Sequence, residues 1–105
     1  MSNSIDSKFA QFLITAAKNA KNGKFGDNKI FISALYEEVK DYGTGSLDKF
    51  KAALLRLYKS QYQRGGEDLG FTLSRCDLSY AFDQEVVKNS LINNLNSEIH
   101  FFTIK

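Results

Sequence analysis

Proline is absent from these 105 residues, and cysteine and histidine occur once each. With no proline, no repeat and no low-complexity tract, nothing reads as a linker, and a single domain over 1–105 is predicted. Cys76 alone cannot close a disulfide within the sequence, which points to a reducing compartment. With one thiol and one imidazole, the side chains of one chain build neither a zinc site nor a redox pair. Long apolar runs are missing too, and no window approaches the length of a membrane span. The opening stretch MSNSIDSKFAQFLITAAKNAK lacks a charged start before an apolar run, and Gln11 and Thr15 interrupt it. No secretory leader is therefore expected, and the chain reads as soluble and cytoplasmic (or nuclear), without a membrane partner.

Motifs for chemistry are equally scarce. Gly65-Gly66 lacks the Lys-Ser/Thr or GxGxxG context of a phosphate loop, and Glu67, Asp68, Asp77, Asp83, Glu85 and Glu98 form no calcium-loop spacing. Asp83 is explained as a helix cap and Asp77 as a turn residue. His100 sits in an aromatic terminal segment, where a packed, hydrogen-bonded imidazole is expected rather than a catalyst. A catalytic centre would have to use Asp, Glu, Lys or Tyr alone, and nothing arranges them. No enzyme, cofactor or metal site is expected.

What is present is apolar material and an uneven charge. The sequence is 43% hydrophobic with nine Phe and five Tyr, enough to build one core without staples. The net charge of +2 is bland, but its distribution is not. Residues 46–66 carry Lys49, Lys51, Arg56, Lys59 and Arg64 against Asp48 alone, a net of +4, whereas 67–105 has a net of −3. The positive charge is concentrated in one segment.

Periodicity predicts a first helix over 4–22, capped by Ser4 or Ser7, with Ile5, Phe9, Leu13, Ala16, Ala17 and Ala20 along one stripe. Gly23 ends it and Gly26-Asp27-Asn28 is a turn. Lys29–Ile32 reads as a short strand, and Ser33 as the cap of a second helix over 34–42, with Leu35, Tyr36 and Val39 inward. Gly43-Thr44-Gly45 stops that helix, and Ser46 caps a third over 47–62. Phe71–Arg75 alternates as a half-buried strand. Asp83 opens a short helix to about Leu91, with Val86, Val87 and Leu91 inward; 93–97 is a loop, and 98–104 is a strand with large apolar residues on both faces.

Two helices joined by a short glycine-bearing turn form a helix-turn-helix arrangement. The order of elements, with Ile30–Ile32 before the second helix and the turn at 43–45, resembles the winged helix-turn-helix superfamily over about 4–104. That resemblance implies an α+β fold: a winged helix with a three-helix core, a C-terminal β-hairpin and a long helix-containing wing. The connection over about 76–97 departs from the pattern. It is long and near-neutral to acidic, whereas a wing that touches DNA is usually short and basic.

On the third helix, Leu47, Phe50, Ala53, Leu54 and Leu57 share one face. Lys49, Ala52, Arg56, Lys59 and Gln63 fall within roughly 80° of arc nearly opposite. Arg and Lys neutralise phosphates, and Arg or Gln can pair with base edges, so Lys49, Arg56, Lys59 and Gln63 are the expected contacts to double-stranded DNA. Any amphipathic helix needs a solvated face, however, and Lys and Arg are good helix formers. Lys18, Lys21, Lys24 and Lys29 cluster at the end of the first helix, where Lys21 and Lys24 are candidate backbone clamps. The helix dipole offers a structural reason for Lys18 and Lys21. Tyr58, Tyr62 and Phe71 are read as the rim of the core ahead of base-stacking platforms. A homodimer is expected if the chain reads DNA, because one helix reads only a few base pairs. The alternative is a protein–protein interaction or assembly module working beside a larger machine. Its contact would be an edge strand at 98–104 or the exposed side of Leu55, Tyr58 and Tyr62.

Overall fold

A computed structural model describes residues 4–26, 28–43, 45–63, 66, 68–76, 82–94 and 97–105, with the backbone alone at 4–6, 25 and 94. The expectations for Thr44, Arg64, Gly65, Glu67, Asp77 and the side chains of Ser4 and Ile5 lie outside the described residues. Among the described residues the architecture is α+β, with four α-helices and two small antiparallel sheets. Helix α1 spans Ser4–Asn19, α2 Ile32–Val39, α3 Leu47–Ser60 and α4 Gln84–Ser90. The strands are β1 Lys24–Phe25, β2 Lys29–Phe31, β3 Phe71–Ser74, β4 Ile92–Asn94, β5 Ser97–Ile99 and β6 Phe101–Ile104.

Helix α1 buries Ala10, Leu13, Ile14 and Ala17, a stripe at the i, i+3, i+4, i+7 spacing that a core-facing helix requires. It ends three residues short of the predicted limit. Ala20 N–H turns back to Ala17 O, Lys24 Nζ donates to Lys18 O at 2.7 Å, and Gly23 takes φ 77°. The chain then forms the hairpin β1–β2, whose first strand, two residues long, was not predicted.

The second helix starts at Ile32, two residues before the predicted boundary, and Ser33 is not its cap. The reason is tertiary. The first turn of any helix leaves N–H groups without intrahelical partners. Here Ile32 N–H donates to His100 O, and Ser33 N–H donates to Ser90 Oγ at 3.0 Å. Ser90 belongs to α4, so a segment more than fifty residues away supplies the cap. A 3-10 turn at Lys40–Tyr42 and a left-handed Gly43 (φ 85°) end the helix.

The main sheet runs β1–β2–β6–β3, each neighbour antiparallel. The register sets Ile30, Phe102 and Leu73 side by side on one face. There they join Leu13, Leu35, Phe50, Leu54 and Phe71 in the principal core. Phe71 and Phe102 stack with centroids 4.8 Å apart. The opposite face carries Phe31 and Phe101, which pack with Cys76, Val87 and Phe82 in a second cluster. The predicted two-faced apolar strand is thus explained: helices cover one side of the sheet, and the excursion between β3 and β6 folds back over the other. Within that excursion, residues predicted as a loop form the hairpin β4–β5, with Ile92 opposite Ile99. The terminal segment is two strands broken at His100, not one. Its second half, β6, is hydrogen-bonded on both sides, so 101–104 offers no free edge to a partner.

Candidate nucleic-acid interface

Helix α3 starts where the sequence predicts and ends two residues short of the predicted limit, at Ser60. Ser46 Oγ accepts Lys49 N–H at 3.3 Å, Asp48 stands in the first turn and Lys59 in the last, both matched to the helix dipole. Phe50, Leu54 and Leu57 are buried, which fixes the rotation of the helix. Lys49, Ala52, Arg56 and Lys59 are exposed as a consequence; Gln63 is exposed too, but it lies in the turn beyond Ser60, where the helical spacing no longer places it. None of Lys49, Arg56 and Lys59 is paired with a carboxylate among the described residues. The face therefore holds three solvated cations, with Ala52 leaving room between them for close approach. Lys51 does not join them: it is half-buried, and that burial lowers its pKa, with Asp48 opposing the shift.

The second basic group is separate. Lys24 lies on β1, at the opposite edge of the sheet from β3, the strand that α3 touches. Three strand spacings correspond to about 14 Å. Lys24 is engaged in capping the carbonyl end of α1, and Lys29 sits 5.7 Å from the Phe101 ring. Lys18 and Lys21 are exposed. The helix dipole accounts for Lys18, as it does for Lys24.

The acidic residues gather elsewhere. Glu37 and Glu38 of α2, with Asp83 and Glu85 at the start of α4, rim a groove of about 510 Å³. Its floor includes Ala34, Tyr36, Val86 and Leu47, the first residue of α3. Arg56 lies nine residues further along α3, a rise of about 14 Å, so these carboxylates do not cover it. Asp83 Oδ1 caps α4 through Glu85 N–H, as predicted. Asp68 accepts Gly70 N–H and pairs with Lys105 at 3.2 Å, contacts that hold its carboxyl below the usual range.

Other candidates resolve into packing. Phe71 is fully buried and Tyr58 half-buried, with exposed Tyr62 edge-on against it, so this trio is mainly core and core rim. His100 is buried, and its Nδ1 accepts Cys76 N–H at 3.1 Å. The described residues include no group of His, Cys, Asp and Glu placed to hold a metal ion, and no helix long and apolar enough to cross a membrane.

One feature escaped the sequence reading. Tyr42, just before the glycine turn, is 72% exposed and stands edge-on to Phe12, centroids 5.5 Å apart. With Phe9, Phe12, Gly43, Phe50 and Ala53 it lines a notch of about 350 Å³ between α1 and α3. Its signal in the sequence was a large aromatic directly ahead of a helix-ending glycine. Comparisons of the chain with protein-family models, curated proteins and solved structures gave no match.

Proposed function

We propose that this chain is a winged-helix domain that binds double-stranded DNA through α3. The observation that carries the reading is the outward face of that helix: Lys49, Arg56 and Lys59 exposed together and free of carboxylate partners among the described residues, with Gln63 exposed in the turn that follows. The antiparallel order β2–β6–β3 behind a helix, a glycine-bearing turn and a second helix supports it. So does the cap at Ser46, which holds α3 rigid at the end where Lys49 projects. On this reading Lys49, Arg56 and Lys59 contact phosphates, and Gln63 or Arg56 reaches base edges. Lys24, on the far edge strand of the sheet, and Lys21, in the connection that precedes it, are secondary and act only on DNA that bends around the domain.

The test is a titration of fluorescent mixed-sequence duplex at two salt concentrations, against Arg56→Ala/Lys59→Ala. Micromolar binding that weakens steeply with salt is expected. The double variant loses most of it, with a salt slope shallower by about 2, the loss of two phosphate contacts. A folded protein that ignores duplex at low salt refutes the reading.

The acidic groove between α2 and α4 favours a second reading, an assembly module that docks a basic segment of a protein partner. In that case duplex binding is absent, and a Lys/Arg-rich peptide binds and is lost in Glu38→Lys/Glu85→Lys.

A further inference from the structure

The notch between α1 and α3 is open, aromatic and bordered by positive charge. Its walls are Phe9 and Phe12 from α1, Phe50 and Ala53 from α3, and Tyr42 with Gly43 from the turn. At about 100° per residue, Lys49 and Arg56 lie within roughly 60° of Ala53 around α3, and Lys8 lies about 40° from Phe12 around α1. All three cations are exposed. The Lys49 stem lies against Gly45, close enough that a Cβ there would meet its Cδ at 3.2 Å, so the turn beside the notch steers this side chain. Asp48 lies on the far side of α3 by the same arithmetic. An apolar slot with Lys49 and Arg56 on one side and Lys8 on the other is complementary to a ligand that is planar and apolar at its centre and anionic on both sides. A nucleotide strand has that pattern.

The rings add a geometric argument. Phe12 and Tyr42 meet at 70°, forming a corner in which a flat ring can stack on one and meet the edge of the other. A Tyr exposed to 72% at such a corner has its ring face open to a ligand.

We propose that this notch receives an unstacked nucleobase, with the flanking phosphates on Lys49, Arg56 and Lys8. The inference rests on the reading of α3 as a nucleic-acid-binding face and adds a preference: single strands, or duplexes with an unpaired nucleotide, bind more tightly than fully paired duplex. Base–aromatic stacking sets the preference at roughly ten-fold.

The experiment uses the full chain with three DNA probes: a single strand, a paired duplex, and the same duplex with one unpaired 2-aminopurine. Tyr42→Ala is the diagnostic variant, chosen because Tyr42 is exposed and its loss leaves the core intact; circular dichroism verifies folding. Quenching of the 2-aminopurine is expected, together with a roughly ten-fold loss of single-strand and unpaired-probe affinity in Tyr42→Ala. Paired-duplex affinity and all salt slopes stay unchanged, and Tyr42→Phe restores binding. Duplex binding that depends on Arg56 and Lys59 but shows no unpaired preference and no Tyr42 effect overturns this inference and leaves the α3 reading standing. No binding to any probe overturns both. Sedimentation that shifts from dimer to monomer in Tyr42→Ala, with DNA binding unaltered, assigns the notch to a second copy of the chain and also overturns it.

Discussion

Replacing Ser90 by Ala tests whether the start of α2 is capped from α4. Ser90 is fully buried; its Oγ accepts Ser33 N–H at 3.0 Å and donates to Ser33 Oγ at 2.9 Å. The Ala variant keeps the helix and the packing but leaves a first-turn N–H without its acceptor. Leaving a buried donor unsatisfied costs about 1–3 kcal/mol, and losing a helix cap about 0.5–2 kcal/mol. Since these describe one lost bond in two ways, about 2 kcal/mol is expected rather than their sum. For a domain near this size that lowers the melting temperature by roughly 8–12 °C. Ser33→Ala is the control. It removes the hydroxyl that accepts from Ser90 Oγ and donates to Val86 O at 3.5 Å, and leaves the backbone bond to Ser90 Oγ in place, so it reports the cost of the hydroxyl contacts alone. Thermal and urea unfolding followed by circular dichroism measure both. A Ser90→Ala change under about 0.5 kcal/mol refutes the cap, since it is not compatible with a stability-bearing N–H bond.

Three further outcomes follow from the packing. Phe102→Ala, which deletes the ring stacked on Phe71 at the centre of the sheet, costs about 3–5 kcal/mol in urea unfolding and leaves a marginally stable protein. Gly23→Ala is more destabilising than Gly43→Ala: both glycines have positive φ, but a Cβ on Gly23 collides with Ala34 Cβ whereas one on Gly43 meets open space. Thermal melts of the two variants rank them, and equal losses would contradict the close approach of the Gly23 turn to α2. Burial holds the His100 imidazole below its ordinary value of 6.5, with Arg75 pushing the same way and Glu98 opposing. As pH falls, the unfolded chain takes up this proton before the folded one. Stability from the neutral ring is therefore complete above 6.5 and is lost as pH falls through 6.5 toward the folded value. Melting temperatures between pH 8 and pH 5.5 register this decline, and His100→Gln flattens it; an unchanged decline in the variant places its source elsewhere.

The α3 helix and the face it presents were legible in the residues themselves. Ser46, the Leu47–Phe50–Leu54–Leu57 stripe and the glycine turn are local signals, and a helix with one strongly apolar face has a single rotation that buries it. The same holds for the Asp83 cap and the alternation at Phe71–Ser74. Where the signal was not local, the reading went astray. Ser33 looked like a cap because its chemistry suits one, yet the acceptor for the first turn of α2 came from Ser90 through the fold. The hairpin β4–β5 lay hidden in a polar stretch, where Ile92 and Ile99 have only each other's register to announce them. Residues 98–104 carried large apolar groups on both faces, but the sequence had no means to say that α4 would cover one of them. Periodicity thus determined which residues turn inward on each element, because that depends on neighbours three, four or two positions away. The assembly of Glu37, Glu38, Asp83 and Glu85 around one groove, of Tyr42 with Phe12 in the notch, and the separation of Lys24 from α3 were decided only by tertiary structure. Those relations join residues far apart in the chain, and it is packing, not spacing, that sets the distances between them.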